Sequence, residues 1–159
     1  MPTHLSILVS GASPLDYARY RHASLYFEFE NEESLKSALM EVVGSPGFLS
    51  FSERVNIELP VSSTVRGALC EMLEKQLMDF GDIARVVRVC SLSDTVAVSS
   101  IRRTVAETPI MNDADWNSQN WVGDALARLV EAGYLDEEAE RKGLDEMVDA
   151  VMEASDEKC

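Results

Sequence analysis

The chain has 159 residues, of which 46% are hydrophobic, and a formal net charge of −14. This length and composition predict one globular domain, 1–159, with 136–159 as its acidic helical C-terminal region. The negative charge argues against a nucleic-acid partner and an anionic membrane, because phosphate groups are bound by Lys and Arg.

Alternating apolar and polar residues predict strands in the first half of the chain. We expect strands at 3–10 and 23–30, separated by a break at 11–14. Residues 35–43 fit either a strand or a helix and end at a turn with two glycines. Residues 48–59 are expected to form one strand or a bent pair of strands.

The second half of the chain has mainly helical spacing. Residues 65–80 have helical period but stand between strands, so both interpretations stay open, and 83–90 is predicted to be a strand. Ser93 is expected to cap a helix that reaches about Glu107. A second helix is predicted over 117–132 with Gly133 as its C-cap, and a third around 143–154 that covers a sheet edge or makes a homodimer contact.

Strands that come first and helices that come last predict an α+β fold. We expect an antiparallel, twisted and barrel-like sheet of four to six strands, with the helices packed against it. No segment approaches the roughly 20 apolar residues that span a bilayer, so we expect no membrane insertion. Three cysteines, Cys70, Cys90 and Cys159, lack metal or redox spacing and predict a reducing, cytoplasmic setting.

The start of the second predicted helix carries an unusual polar cluster. Residues 116–122 read Trp-Asn-Ser-Gln-Asn-Trp-Val and contain both tryptophans of the chain. A helix needs one Ser or Asn as a cap, whereas a helix N-terminus with many polar groups suits a nucleophile or an oxyanion. The cluster is therefore a candidate site, and an elaborate N-cap is the alternative.

The two histidines differ in their surroundings. His4 lies just inside the first strand and is expected at the surface, while His22 opens the second strand after Tyr20 and Arg21. Two histidines are too few for a His-based metal site. An imidazole base on a strand facing a nucleophile on a helix start is an arrangement used in nucleophilic catalysis.

The order of these motifs resembles the circularly permuted papain-like hydrolases, which are related to the lecithin–retinol acyltransferase-like proteins. The resemblance covers roughly residues 20–135. It implies that His22 and Ser118 share one cavity and that Ser118 stands where the family has its nucleophilic Cys. Asn56 and Glu58 are the candidates for the group that orients His22.

Ser118 weakens the hydrolase interpretation, because a helix start and an imidazole activate a thiol far more easily than a hydroxyl. A pocket with intact polar donors would instead bind an apolar small molecule. The chain also resembles small fungal proteins of secondary metabolism, including Diels–Alderases that form norbornene. That resemblance implies a cyclase or isomerase that needs no cofactor.

The expected site therefore has a catalytic and a binding part. The catalytic residues are His22, Ser118 and Gln119, and the substrate-binding residues are Tyr20, Tyr26, Trp116, Asn117 and Trp121. The chain has neither a metal-ligand cluster nor a glycine-rich phosphate loop. An inactive papain-like binding module and a Ser118-dependent acyl hydrolase or acyltransferase remain the alternative functions.

Overall fold

A computed structural model describes residues 3–11, 21–30, 34–45, 47–57, 83–93, 95–113 and 115–153 of the chain. Five strands and three helices lie within these ranges. The strands are β1 (Thr3–Ser10), β2 (His22–Phe29), β3 (Ser37–Val43), β4 (Ser50–Val55) and β5 (Ile83–Leu92). The helices are α1 (Val98–Ala106), α2 (Ser118–Glu131) and α3 (Glu137–Met152).

The strands form one antiparallel sheet in the order β4-β3-β2-β1-β5. This confirms the predicted α+β class and the predicted number of strands. The expectation of a barrel was wrong, because β4 and β5 lie at opposite edges and do not pair with each other. The sheet is therefore open.

Strand alternation sorts the side chains onto two faces of the sheet. The face toward the helices carries the main core, which includes Leu5, Ile7, Val9, Leu25, Phe27, Met40 and Val42. The other face carries a smaller buried cluster of Leu8, Tyr26 and Leu39. Residues 35–43, which fitted either type of element, contain a strand because every second side chain meets the main core.

One helix start differs from the sequence prediction and another agrees with it. Ala97, not Ser93, is the N-cap of α1, and it makes no side-chain cap bond. The Ser93 hydroxyl accepts a hydrogen bond from the Thr95 N–H in the preceding turn instead. Helix α3 begins where the helical C-terminal region was predicted to begin, because the Asp136 side chain accepts from the Glu138 N–H and caps the helix.

The helix at 117–132 was predicted closely. Asn117 is its N-cap and Ala132 its C-cap, so Gly133 is the next residue, with a φ of 82° that favours glycine. The ambiguous segment 65–80 and two cysteines, Cys70 and Cys159, lie outside the described residues. Within the described part of the chain, no helix is long and apolar enough to cross a membrane.

Trp121 is the largest side chain of the fully buried core. It belongs to the first turn of α2, is 0% exposed, and its indole packs against the Phe51 ring with centroids 6.0 Å apart. Its indole nitrogen has no hydrogen-bond partner in the part of the chain that the structure describes. Trp121 therefore joins α2 to β4 through apolar packing, at the cost of one unpaired N–H group.

Replacing Trp121 tests whether its apolar packing outweighs the cost of its unpaired N–H group. We expect Trp121→Ala to lower the free energy of unfolding by about 3–5 kcal/mol through the cavity it leaves. Trp121→Phe should cost much less, because it keeps a ring and removes an N–H whose unpaired burial costs about 1–3 kcal/mol. Urea unfolding measures both, with Trp116→Phe as the control; equal losses for Ala and Phe would contradict the argument.

Candidate functional site

Strands β2 and β3 separate at one end of the sheet. Their pairing runs from Glu28–Ser37 to Leu25–Met40 and stops there. Beyond that point β2 stays paired with β1 as far as His22, and β3 stays paired with β4 as far as Val43. We call the gap between residues 21–24 and 41–43 the split.

The start of α2 occupies the split from the helix side. The Ser118 hydroxyl accepts a hydrogen bond from the Ala23 N–H at 3.1 Å, and the Gln119 side-chain amide donates to the Arg21 carbonyl at 2.9 Å. Alternate residues of a strand direct their backbone groups to the same neighbour, so these groups would otherwise pair with β3. Ser118 and Gln119 therefore bind the backbone groups at the start of β2 that β3 would bind in a continuous sheet.

The remaining polar residues of this segment cap the helix. The Asn117 side chain accepts from the Gln119 N–H at 2.9 Å, and the Asn120 side chain accepts from the Asn117 N–H at 3.0 Å. This reciprocal arrangement is a capping box. The cluster thus combines an N-cap, made by the two asparagines, with a bridge to β2, made by Ser118 and Gln119.

Three charged or polar side chains lie on the other face of the sheet, beside the split. The His22 Nε2 atom is 2.8 Å from one carboxylate oxygen of Glu41. The other oxygen of Glu41 is 3.5 Å from an Arg54 guanidinium nitrogen. We call His22, Glu41 and Arg54 the ionisable trio; its members come from β2, β3 and β4, and Glu41 is buried at its centre.

The ring nitrogens of His22 and His4 differ in their hydrogen bonds. Both imidazoles are 33% exposed. His4 uses both ring nitrogens, since Nδ1 is 2.8 Å from the Ser91 hydroxyl and Nε2 is 2.7 Å from Glu30. Among the described residues, His22 Nδ1 has no hydrogen-bond partner. His22 is therefore an imidazole that Glu41 orients, that is one-third exposed, and whose Nδ1 is not engaged by the described residues.

The structure does not bring His22 and Ser118 together as a catalytic pair. Ser118 enters the split from the helix side, whereas the His22 side chain turns to the opposite face and binds Glu41. Within the described part of the chain the two side chains share no hydrogen bond. A general base must approach its nucleophile to about 2.6–3.2 Å, and these two residues are engaged elsewhere.

The expected substrate-binding residues also separate. Tyr26 is buried on the face of His22 and donates to the Ile57 carbonyl at 2.7 Å. Trp116 is half-buried against the main core, and Trp121 lies within that core. Asn117 is used by the helix cap, and Tyr20 lies outside the described residues.

Glu41 is the residue that sequence reasoning missed. Asn56, proposed to orient His22, lies in an exposed turn where its side chain binds the Lys36 N–H and the Ser34 carbonyl. That turn is beside the start of β3, at the end remote from the split, and Glu58 lies outside the described residues. A signal for Glu41 existed: it is the single charged residue of the strand Ser-Ala-Leu-Met-Glu-Val-Val.

Two further features of the described residues bear on ligands. No group of three or more His, Cys, Asp or Glu side chains in these ranges could hold a metal ion. An open groove of about 860 Å³ lies between the end of α2 and the start of α3 and is mainly acidic, with Glu131, Asp136, Glu137, Glu138 and Glu140 in its lining. None of the predicted site residues lines this groove.

Comparison of the chain with protein-family models, curated proteins and solved structures gave no match. The functional argument therefore rests on the chemistry of the ionisable trio and of the split.

Ser118 tests the account of the split. We expect Ser118→Ala to lower the free energy of unfolding by about 1–3 kcal/mol, because it leaves the buried Ala23 N–H without an acceptor. Ser99→Ala, an exposed change in α1, should stay within about 0.5 kcal/mol of the wild type. Denaturant titration compares the two, and an equally small effect at Ser118 would mean that the bridge to β2 contributes no stability.

Cys90 tests the electrostatics near the start of α3. Burial, and secondly the negative charge of Asp136, raise the pKa of the Cys90 thiol, so less thiolate is present at neutral pH. Asp136→Asn keeps a good N-cap but removes the charge. We expect faster iodoacetamide labelling of the Cys90 peptide by mass spectrometry, and no change for the control Asp124→Asn. Unchanged or slower labelling in Asp136→Asn would contradict this.

Proposed function

We propose that this protein is a cofactor-independent cyclase or isomerase of an apolar small molecule that carries a carbonyl group. In this proposal His22 and Glu41 form the catalytic pair. The observation that supports it is the partly exposed imidazole of His22, which a buried carboxylate orients and whose Nδ1 has no hydrogen-bond partner within the described ranges.

The pair suits chemistry at a carbonyl group. When His22 is neutral, its Nε2–H donates to Glu41, and the lone pair on Nδ1 can remove a proton next to the carbonyl. When His22 is protonated, Nδ1–H donates to the carbonyl oxygen and stabilises the negative charge that develops there. Either state serves an isomerisation, and the second activates an unsaturated carbonyl compound for ring closure.

A Diels–Alder-type ring closure is the specific reaction that we propose. A diene and an alkene conjugated to the carbonyl group lie in one substrate, three π bonds become one, and two carbon–carbon σ bonds form. No atom leaves and no electron donor is required. The protein contributes by holding the reactive conformer and by donating one hydrogen bond to the carbonyl oxygen.

Ser118 and Gln119 act as positioning residues in this proposal. They bind the backbone of Arg21 and Ala23, the two neighbours of His22 in the chain. They therefore hold the start of β2 in place where β3 has diverged. Neither side chain needs to touch the substrate.

A panel of linear trienes that carry an unsaturated aldehyde or ketone tests the activity. We expect the wild-type protein to speed cyclisation of a panel member and to favour one stereoisomer, as measured by chiral chromatography over time. His22→Gln and Glu41→Gln should slow this reaction by roughly 10- to 1000-fold, because each removes part of the oriented donor.

His4→Gln is the matched control, since His4 has equal exposure but both nitrogens bonded. It should leave the rate and the isomer ratio unchanged. If the rates and the isomer ratios with and without protein are equal for every triene, the enzyme proposal fails. Native mass spectrometry of the same mixtures would then show whether a bound triene supports the alternative, a catalytically inactive binding module.

A further inference from the structure

We infer that Arg54 is a positioning residue that acts on His22 through Glu41. The inference rests on the proposed pairing of His22 with Glu41. It adds a third residue, from the edge strand β4. This residue holds the Glu41 carboxylate in the orientation in which it accepts a hydrogen bond from the His22 imidazole.

The contacts of Glu41 carry this inference. Its side chain is 11% exposed, and burial of a carboxylate costs free energy unless the charge is compensated. Its two oxygens face two different partners, His22 on one side and Arg54 on the other. Two partners in different directions hold the carboxylate in one orientation, which one partner alone would not do.

Beside the split, the position of Glu41 is not fixed by pairing between β2 and β3, so its side chain depends on a second partner. Glu41 lies on β3 just beyond the last pair with β2, where no backbone ladder joins the two strands. The bond from Glu41 to His22 crosses that gap, while β3 and β4 remain paired on the other side. Arg54 lies on β4, which is paired with β3, and it therefore fixes the Glu41 side chain where that side chain crosses the gap between β3 and β2.

The chain supplies two matched comparisons. Glu30 pairs with His4 but is itself 40% exposed, and among the described residues no arginine forms an ion pair with it. Arg102 forms an ion pair with Glu53, the residue next to Arg54, on the helix side of β4. His4 thus provides a histidine–carboxylate pair without an arginine, and Arg102 provides an arginine–glutamate pair on the opposite face of the sheet from His22.

The test measures the proton position on His22 in the full chain by nitrogen-15 NMR of labelled histidines. The chain has two histidines, so the ring signals that disappear in His4→Gln assign both rings. The measurement is made at a pH where the spectrum shows both rings neutral. In the wild type we expect His22 to be protonated on Nε2, because that nitrogen faces Glu41.

In Arg54→Gln the ratio of the Nε2–H form to the Nδ1–H form of His22 should fall about threefold or more, a usual size of coupling between neighbours in one network. Arg54→Lys should restore most of the ratio because it restores the positive charge. Arg102→Gln should leave His22 unchanged, and His4 should stay constant throughout. If Arg54→Gln does not fold, Arg54→Met, which keeps much of the aliphatic stem, takes its place.

The possible results separate the two proposals. A wild-type His22 protonated on Nε2 with an unchanged ratio in Arg54→Gln would overturn the role of Arg54 and leave the catalytic pair standing. An equal change in Arg102→Gln would also overturn it, since a general charge effect would then suffice. A wild-type His22 without preference for Nε2 would overturn the catalytic pair itself.

Discussion

The hydrogen bond from the Ala23 N–H to the Ser118 hydroxyl is the interaction on which the arrangement of the site depends. A buried backbone N–H must find an acceptor, and β3 has already diverged from β2 at this position. Ser118 supplies the acceptor and Gln119 the neighbouring donor, so the start of α2 is joined to the start of β2. The Ala23 N–H and the Arg21 carbonyl are therefore paired although β3 has diverged from β2.

The divergence of β2 and β3 also explains where the charges lie. On the helix side, the split is closed by neutral hydrogen bonds from α2. On the other side, Glu41 reaches across it to His22 and is supported by Arg54 from the next strand. An imidazole held by a carboxylate, with one nitrogen that no described residue binds, is suited to proton transfer or to hydrogen bonding with a carbonyl oxygen.

The hydrophobic pattern predicted much of the fold. The strand at 3–10 and the helix near 117–132 were placed closely because their apolar residues follow one period throughout. The start of α1 was misplaced because Ser93 can bond its own turn as readily as a helix. The prediction of a barrel was wrong. Closure of a sheet depends on whether its two edge strands pair with each other, and no local sequence pattern encodes that pairing.

The candidate site was predicted in part. The sequence by itself determined that residues 116–122 carry an excess of polar groups and that His22 opens a strand. It also contains Glu41 as the single charged residue of an apolar segment, but it left open whether that segment is a strand or a helix. Only the tertiary structure decided their partners: Ser118 meets a backbone N–H, and His22 meets Glu41 rather than Asn56. Adjacent residues of a strand point to opposite faces, and strand pairing joins residues distant in the chain, so these contacts follow from the register and divergence of the strands.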